Sequence, residues 1–380
     1  MRTTSIAANN MSFSVMYPDA IGFAFNPCIF IVEHERLQWA RITGLKPDGS
    51  GTKYFEVDCR AYNGKAIFDL REYIQAVFDD ETFREIDYSQ EAQRTALGKE
   101  IQFMFGAGWL TADGTMQSLS NGQQKVSVFY VWGALKVGGE EVYNGTRTLT
   151  YFRGFPFVFS VYSSGSGALL FARDGVPNKF VNLTEQGVWN VALPDDAKTY
   201  YAISDCTGTL VETTFDTTFD LTFRVRGGGT ITQKIRIEVV EGITDGIYLR
   251  WIDRHGFWCH WLFKRGAEQR KTTVTQEYFR HNLEAYDMSY GYQYGAGRRQ
   301  QYNREDVLPV CAPLVDSDTW DMLFDVATSP VVEMLAGYDA NNVPRWMSVG
   351  VQAGSYTKEG VTLQDFAINI LLPEVPLQTQ

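Results

Sequence analysis

The chain reads as mainly β, built as two or three β-sandwich or barrel-like domains with one or two short helices. Three observations point there. Aromatic residues make up 14% of the 380 residues, with 25 Phe, 20 Tyr and 9 Trp, and such side chains suit the pleated, half-buried surface of a strand. Short stretches alternate between apolar and polar residues with the period of two that a strand imposes. Turn signals rich in Gly and Asn recur between them. At 44% hydrophobic and 21% charged residues, the composition suits a chain with a real core, which excludes a disordered tail, a collagen-like fibre and a disulfide-stapled miniprotein.

Residues 21–33 are apolar around Pro27, as an edge strand or a bulge would be. Residues 54–58 alternate, and Asn63-Gly64 supplies a tight-turn signal before Ala66-Ile67-Phe68. Residues 125–132, 155–162, 219–226 and 231–240 alternate in the same way, separated by Asn121-Gly122, Gly138-Gly139, Asn144-Gly145 and the glycines at 165–167 and 227–229. Two helices are expected. Asp69 caps the first, with Glu72 completing a capping box and Leu70, Ile74, Val77 and Phe78 sharing a face. Ser317 or Asp318 caps the second, where Trp320, Leu323, Phe324 and Ala327 follow the helical period and Pro330 lies just beyond. Three blocks result: 1–153, N-terminal and β-rich; 154–266, a central sandwich-like block closing in a hairpin at Lys264-Arg265-Gly266; and 267–380, holding a Tyr/Gly-rich loop, the second helix and a final strand.

The 34 Lys and Arg against 45 Asp and Glu leave a net charge of -11. Neutralising many phosphates needs a basic face, so nucleic acid is not an expected partner. Residues 1–14 have Asn9 and Asn10 where a secretory leader would be apolar, and no run reaches the ~18 apolar residues of a membrane helix. Synthesis in the cytoplasm without membrane insertion is the expectation. Cys28, Cys59, Cys206, Cys259 and Cys311 are scattered, odd in number and never in a C-x-x-C pair. That pattern suits buried free thiols in a reducing compartment rather than a zinc ribbon.

Phosphate-loop, nucleophile-elbow and zinc-protease signatures do not occur in the sequence. No catalytic residue, metal ligand or cofactor is expected. Residues 247–263 form two apolar runs joined by a polar turn. A two-residue turn at Arg254-His255 would set Trp251 opposite Trp258, Leu249 opposite His260, Ile252 opposite Phe257 and Tyr248 opposite Trp261. Asp253, His255, Cys259 and His260 could be drawn there as a metal site, but Cys259 and His260 are adjacent in a strand and point to opposite faces. A hairpin buried on both faces is the simpler reading. Acidic runs at 79–81 and 195–196 could mimic glycosidase carboxylates, yet such a pair must stand about 5–10 Å apart in a cleft. Adjacent acids suit a solvated turn better.

The segment 286–302 concentrates Tyr286, Tyr290, Tyr292, Tyr294 and Tyr302 beside Arg298 and Arg299. Tyrosine buries a large ring while its hydroxyl keeps a hydrogen bond. These seven residues are the candidate interface or ligand contacts, to a second subunit or to a glycan. The plainer alternative is a connecting loop.

The run Gly246-Ile247-Tyr248-Leu249-Arg250-Trp251-Ile252-Asp253, continued by residues 258–264, resembles tail-associated virion proteins of phages and prophages of gut Bacteroidales. So do Asp306-Val307-Leu308-Pro309-Val310-Cys311-Ala312-Pro313-Leu314-Val315-Asp316 and Leu363-Gln364-Asp365-Phe366. The likeness is strongest over 240–372 and faint before about residue 150. It implies a non-enzymatic distal-tail or baseplate-like subunit of the virion tail, in a ring of its own copies and with other tail proteins. A host-glycan-binding tail module is the alternative, and a glycan-degrading enzyme a second one. The resembling runs are packing motifs, so no residue's role carries over with them.

Overall fold

Every second side chain of β4 (Ile29–Glu33) and β7 (Lys65–Asp69) is buried, Phe30 and Val32 from one and Ala66 and Phe68 from the other. That is the period of two a sheet imposes when one of its faces meets a core. The computed structural model describes residues 1–8, 11–18, 21–78, 81–119, 124–134, 146–163, 165, 167–173, 176–192, 199–204, 210–213, 218–222, 234–241, 245–281, 286–289, 291–292 and 295–373. It is mainly β, with several antiparallel sheets and two α-helices among these residues. No described helix is long and apolar enough to cross a membrane. The chain divides into two compact units, one of Met1–Tyr151, Pro156–Val240 and Ile252–Cys259, the other of Phe152–Phe155, Glu241–Trp251 and His260–Gln380.

The first unit opens as a sandwich. One sheet joins β1 (Arg2–Ala8), β2 (Met11–Tyr17), β4 and β7 in that order. The other runs β3 (Ile21–Phe23), β11 (Lys125–Val131), β9 (Gly98–Leu110), β5 (Leu37–Leu45) and β6 (Lys53–Arg60), with β10 (Met116–Leu119) also on β9. Their facing side chains form one core in which Phe30 meets Phe103 at 4.7 Å and Phe13 meets Trp109 at 5.3 Å between ring centres. Residues 21–33, expected as one strand, are two: β3 enters one sheet and β4 the other. Pro27, with no N–H for a ladder, lies in the crossing between them. The Asn63-Gly64 turn forms as read, with Tyr62 and Lys65 exchanging both backbone hydrogen bonds and φ of 49° and 74° at its centre.

Cys28 lies at the same crossing. Its Sγ is 2.9 Å from the buried Tyr130 hydroxyl, and its N–H donates to Asp69 Oδ1. Burial pushes the Cys28 thiol up to about 12 and the Tyr130 hydroxyl well above its ordinary value. Asp69 also accepts from the Arg71 N–H, but the cap position of helix α1 (Arg71–Val77) is Leu70, which makes no side-chain cap bond, so the expected Asp69 cap with its Glu72 capping box is not what starts the helix. All four described cysteines are free thiols, Cys28 and Cys259 buried and Cys59 and Cys311 half-buried; Cys206 lies outside the described residues. The strand β8 (Ala92–Arg94) pairs Gly187–Ala192, which pairs Val158–Ser163, so sheet hydrogen bonds tie residues of the 1–153 block to the 154–266 block.

The second unit is built mainly on one antiparallel eight-stranded sheet. Its order is Pro344–Ser348, Val332–Tyr338, Gly246–Ile252, Trp258–Arg265, Gly295–Val315, Gln364–Leu371 and Gly350–Val351, with Gln269–His281 also on Gly295–Val315. Arg250 stands opposite Glu333 in register, and its guanidinium holds that carboxylate at 2.6 and 2.7 Å while lying 4.2 Å over the Trp346 ring. No hairpin forms at Lys264-Arg265-Gly266. The chain runs on from Arg265 to Gln269 along the same partner strand, with a one-residue offset between Arg265↔Val310 and Gln269↔Val307.

Helix α2 (Ser317–Thr328) docks Trp320, Leu323 and Val326, and Trp320 meets Phe366 edge-on at 5.5 Å. Its cap is Asp316, one residue before the expected Ser317 or Asp318; Asp316 Oδ1 accepts from the Thr319 N–H at 2.8 Å. Asp316→Ala is therefore expected to cost about 1 kcal/mol in denaturant unfolding, and Ser317→Ala with Asp318→Ala clearly less. The reverse ranking would move the helix start.

A thiol raised on folding stabilises the fold fully below its unfolded value near 9 and loses that contribution as the pH climbs toward 12. Melting should fall between about pH 8 and pH 10.5, and less steeply in Cys28→Ala. An equal fall in both proteins would remove Cys28 from the cause.

Candidate assembly interface

Seven residues between 286 and 302 stand out in sequence, and the structure spreads them over different elements. Tyr290 and Tyr294 lie outside the described residues. Tyr286 and Tyr292 stand opposite each other in a pair of two-residue strands. Arg298, Arg299 and Tyr302 belong to the strand Gly295–Val315, in register with Tyr278, Glu277 and Val274. From Gly295 onward the expected loop is a strand.

That strand is 21 residues long and changes partners along its length. Val307 to Val315 pairs Gln364–Leu371 on one side, and near Val310 and Cys311 it pairs Lys264 and Arg265 on the other. Residues 295–306 pair Gln269–His281 alone among the described strands, from Arg270↔Asp306 to His281↔Gly295. The result is a two-stranded ribbon about 40 Å long at the usual rise per residue. Antiparallel pairing satisfies one edge of each strand and points the alternate N–H and C=O groups of the other edge outward. At its base Arg304 grips Asp306 with two bonds of 2.6 and 2.7 Å, and Lys271 reaches Glu305 at 3.8 Å. The hydrogen bond to Asp306 raises the Arg304 pKa.

Nothing in the Tyr/Gly-rich composition announces a ribbon, but its first strand does carry a signal. Residues 267–290 hold no Gly or Pro, and Thr272, Thr273, Val274, Thr275, Tyr278 and Phe279 are strand formers.

The 247–263 cluster forms its hairpin with a different turn. The Asp253 N–H donates to the Phe257 carbonyl, the Gly256 N–H donates to the Asp253 carbonyl, and Gly256 takes φ 74°. This is a three-residue loop ending in left-handed glycine, which slides the strands one residue from the expected pairing. Tyr248 accordingly stacks on His260, at 5.9 Å, instead of standing opposite Trp261. Trp251 and Trp258 are each fully buried but not opposite one another. Asp253 works as the turn's anchor, accepting from the His255 and Phe257 N–H groups and lying 2.9 Å from His255 Nδ1. Among the described residues no three His, Cys, Asp or Glu side chains converge as metal ligands would.

Within the first unit the hairpin tip is held by a buried polar chain. The Trp258 N–H donates to Ser160 Oγ at 2.9 Å, and Ser160 Oγ donates to Asn190 Oδ1 at 2.7 Å. The Ala134 N–H adds a bond to the Arg254 carbonyl. In the second unit, a cleft of about 530 Å³ opens beside the sheet, lined in part by Lys264, Arg265, Gln352, Tyr356, Asp365 and Asn369. Cys311 borders it, its thiol pushed up by burial and by the Asp365 charge. No known protein family matches the chain, and no curated protein matches it.

Ser160→Ala should lower unfolding stability by about 1–3 kcal/mol, because it strands a buried N–H and a buried amide together. A variant with an unchanged denaturant midpoint would show that neither bond carries weight.

Proposed function

We propose that this chain is a non-enzymatic structural subunit of a tailed-phage virion, at the tail tip or baseplate, acting through symmetric assembly with its own copies and other tail proteins. The observation that carries the reading is the ribbon. Two strands alone are marginal in water, and unpaired edges are templates for another chain. The placement of the resembling runs adds support. Residues 246–253, 258–264, 306–316 and 363–366 fall on neighbouring strands of one sheet, joined directly at Lys264↔Cys311 and Ala312↔Phe366. They are a packing signature, as a shared scaffold requires.

The open cleft favours a second reading as a glycan-binding module. Its amides, opposite charges and Tyr356 ring are groups that suit a sugar's hydroxyls and apolar face. Mass spectrometry of purified particles, with antibody labelling of the tail, separates the two. Fixed multiple copies per particle are expected, and absence from the particle would end the structural reading. Host-glycan binding lost in Tyr356→Ala would establish the second.

A further inference from the structure

We propose that the ribbon of Gln269–His281 and Gly295–Val307 docks on a second copy of this chain, as an arm laid against its neighbour's acidic body. The inference rests on the structural-subunit reading and names the partner. Three observations carry it.

The first is the ladder. Before Val307 the strand Gly295–Val315 does not pair Gln364–Leu371, and over 295–306 Gln269–His281 is its only partner among the described strands. About six residues on each edge then present N–H and C=O groups to whatever lies beside them. The second is an unbroken ladder. Natural edges are blunted by proline, bulges, short length or charged side chains. Here twelve consecutive ribbon positions on each strand, 270–281 and 295–306, contain no proline, and the register from Arg270↔Asp306 to His281↔Gly295 shifts nowhere.

The third is charge. Residues 269–281 and 295–307 carry six basic side chains, Arg270, Lys271, Arg280, Arg298, Arg299 and Arg304, against Glu277, Glu305 and Asp306. The ribbon is thus net +3 in a chain of -11, which leaves -14 on everything else. An arm of one sign on a body of the other suits a neighbour of the same kind, and it disfavours one ribbon lying along another. Arm-to-body contact is heterologous, the type that closes into a ring where its rotation divides a full turn.

The test uses the purified full-length chain, with mass measured across concentration and salt and with hydrogen exchange read on the ribbon amides. Self-association should weaken about tenfold or more in Arg298→Glu with Arg299→Glu, and likewise as salt rises, while melting is unchanged. Arg298→Lys with Arg299→Lys should keep it. Ribbon amides should gain protection in the oligomer. Oligomers whose ribbon amides exchange as fast as the monomer's would overturn the inference and leave the subunit reading standing. So would protection that arises only when other particle proteins are added. A chain that stays monomeric throughout also overturns docking on a second copy, whereas the subunit reading falls only with absence from the particle.

Discussion

The second unit depends on one strand satisfying two different sets of backbone partners. Gly295–Val315 is a ribbon strand up to Asp306 and a central sheet strand beyond it. The change has a local chemistry. Pro309 and Pro313 lack N–H groups, and both sit in the sheet half, where the ladder is already irregular. Pro309 still accepts from the Gly266 N–H, which carries the one-residue offset between the strands on that side. Pro313 lies inside the register break between Ala312 and Val315, where Leu314 takes φ 52° and its N–H turns to Asp365. The prolines therefore stand where pairing is being rearranged, and the ribbon half, with none, runs uninterrupted.

Buried polar groups supply specificity on top of this ladder. Apolar alternation alone would allow Gly246–Ile252 to slide against Val332–Tyr338, since the first of these strands is buried on both faces. The Arg250–Glu333 pair removes that freedom, because any slip buries two charges apart from each other. Trp346 covers the guanidinium and keeps water out. The Ser160 hydroxyl has a similar role in the first unit, because it bonds a backbone N–H and an amide at once and so fixes the hairpin tip to a strand pair.

Periodicity made most of the first sandwich legible. Alternation found the strands, Asn63-Gly64 found its turn, and Trp320, Leu323 and Phe324 found the second helix. What escaped was register and partner choice. A two-residue turn at Arg254-His255 and the observed three-residue loop use the same residues, and only the left-handed Gly256 distinguishes them. The cap of α2 moved by one residue because Asp316, Ser317 and Asp318 are all good caps, and geometry alone picks Asp316. Residues 21–33 read as an edge strand or a bulge around Pro27, whereas the crossing at Pro27 serves two sheets that sequence cannot place. The ribbon escaped because glycines and tyrosines at 286–302 suit a loop as well as a strand, while the strand formers at 272–279 do not name their partner.

The ribbon links fold to proposed role. It carries six basic residues against three acidic ones. Long strand edges invite indiscriminate pairing. Net positive charge on the ribbon moderates the hazard by making two ribbons repel. It leaves an oppositely charged body as the favoured surface, and the rest of this chain has that sign. In the proposed assembly one feature would both disfavour ribbon-on-ribbon growth and direct the arm toward a neighbour's body, in a heterologous contact that closes into a ring where its rotation divides a full turn.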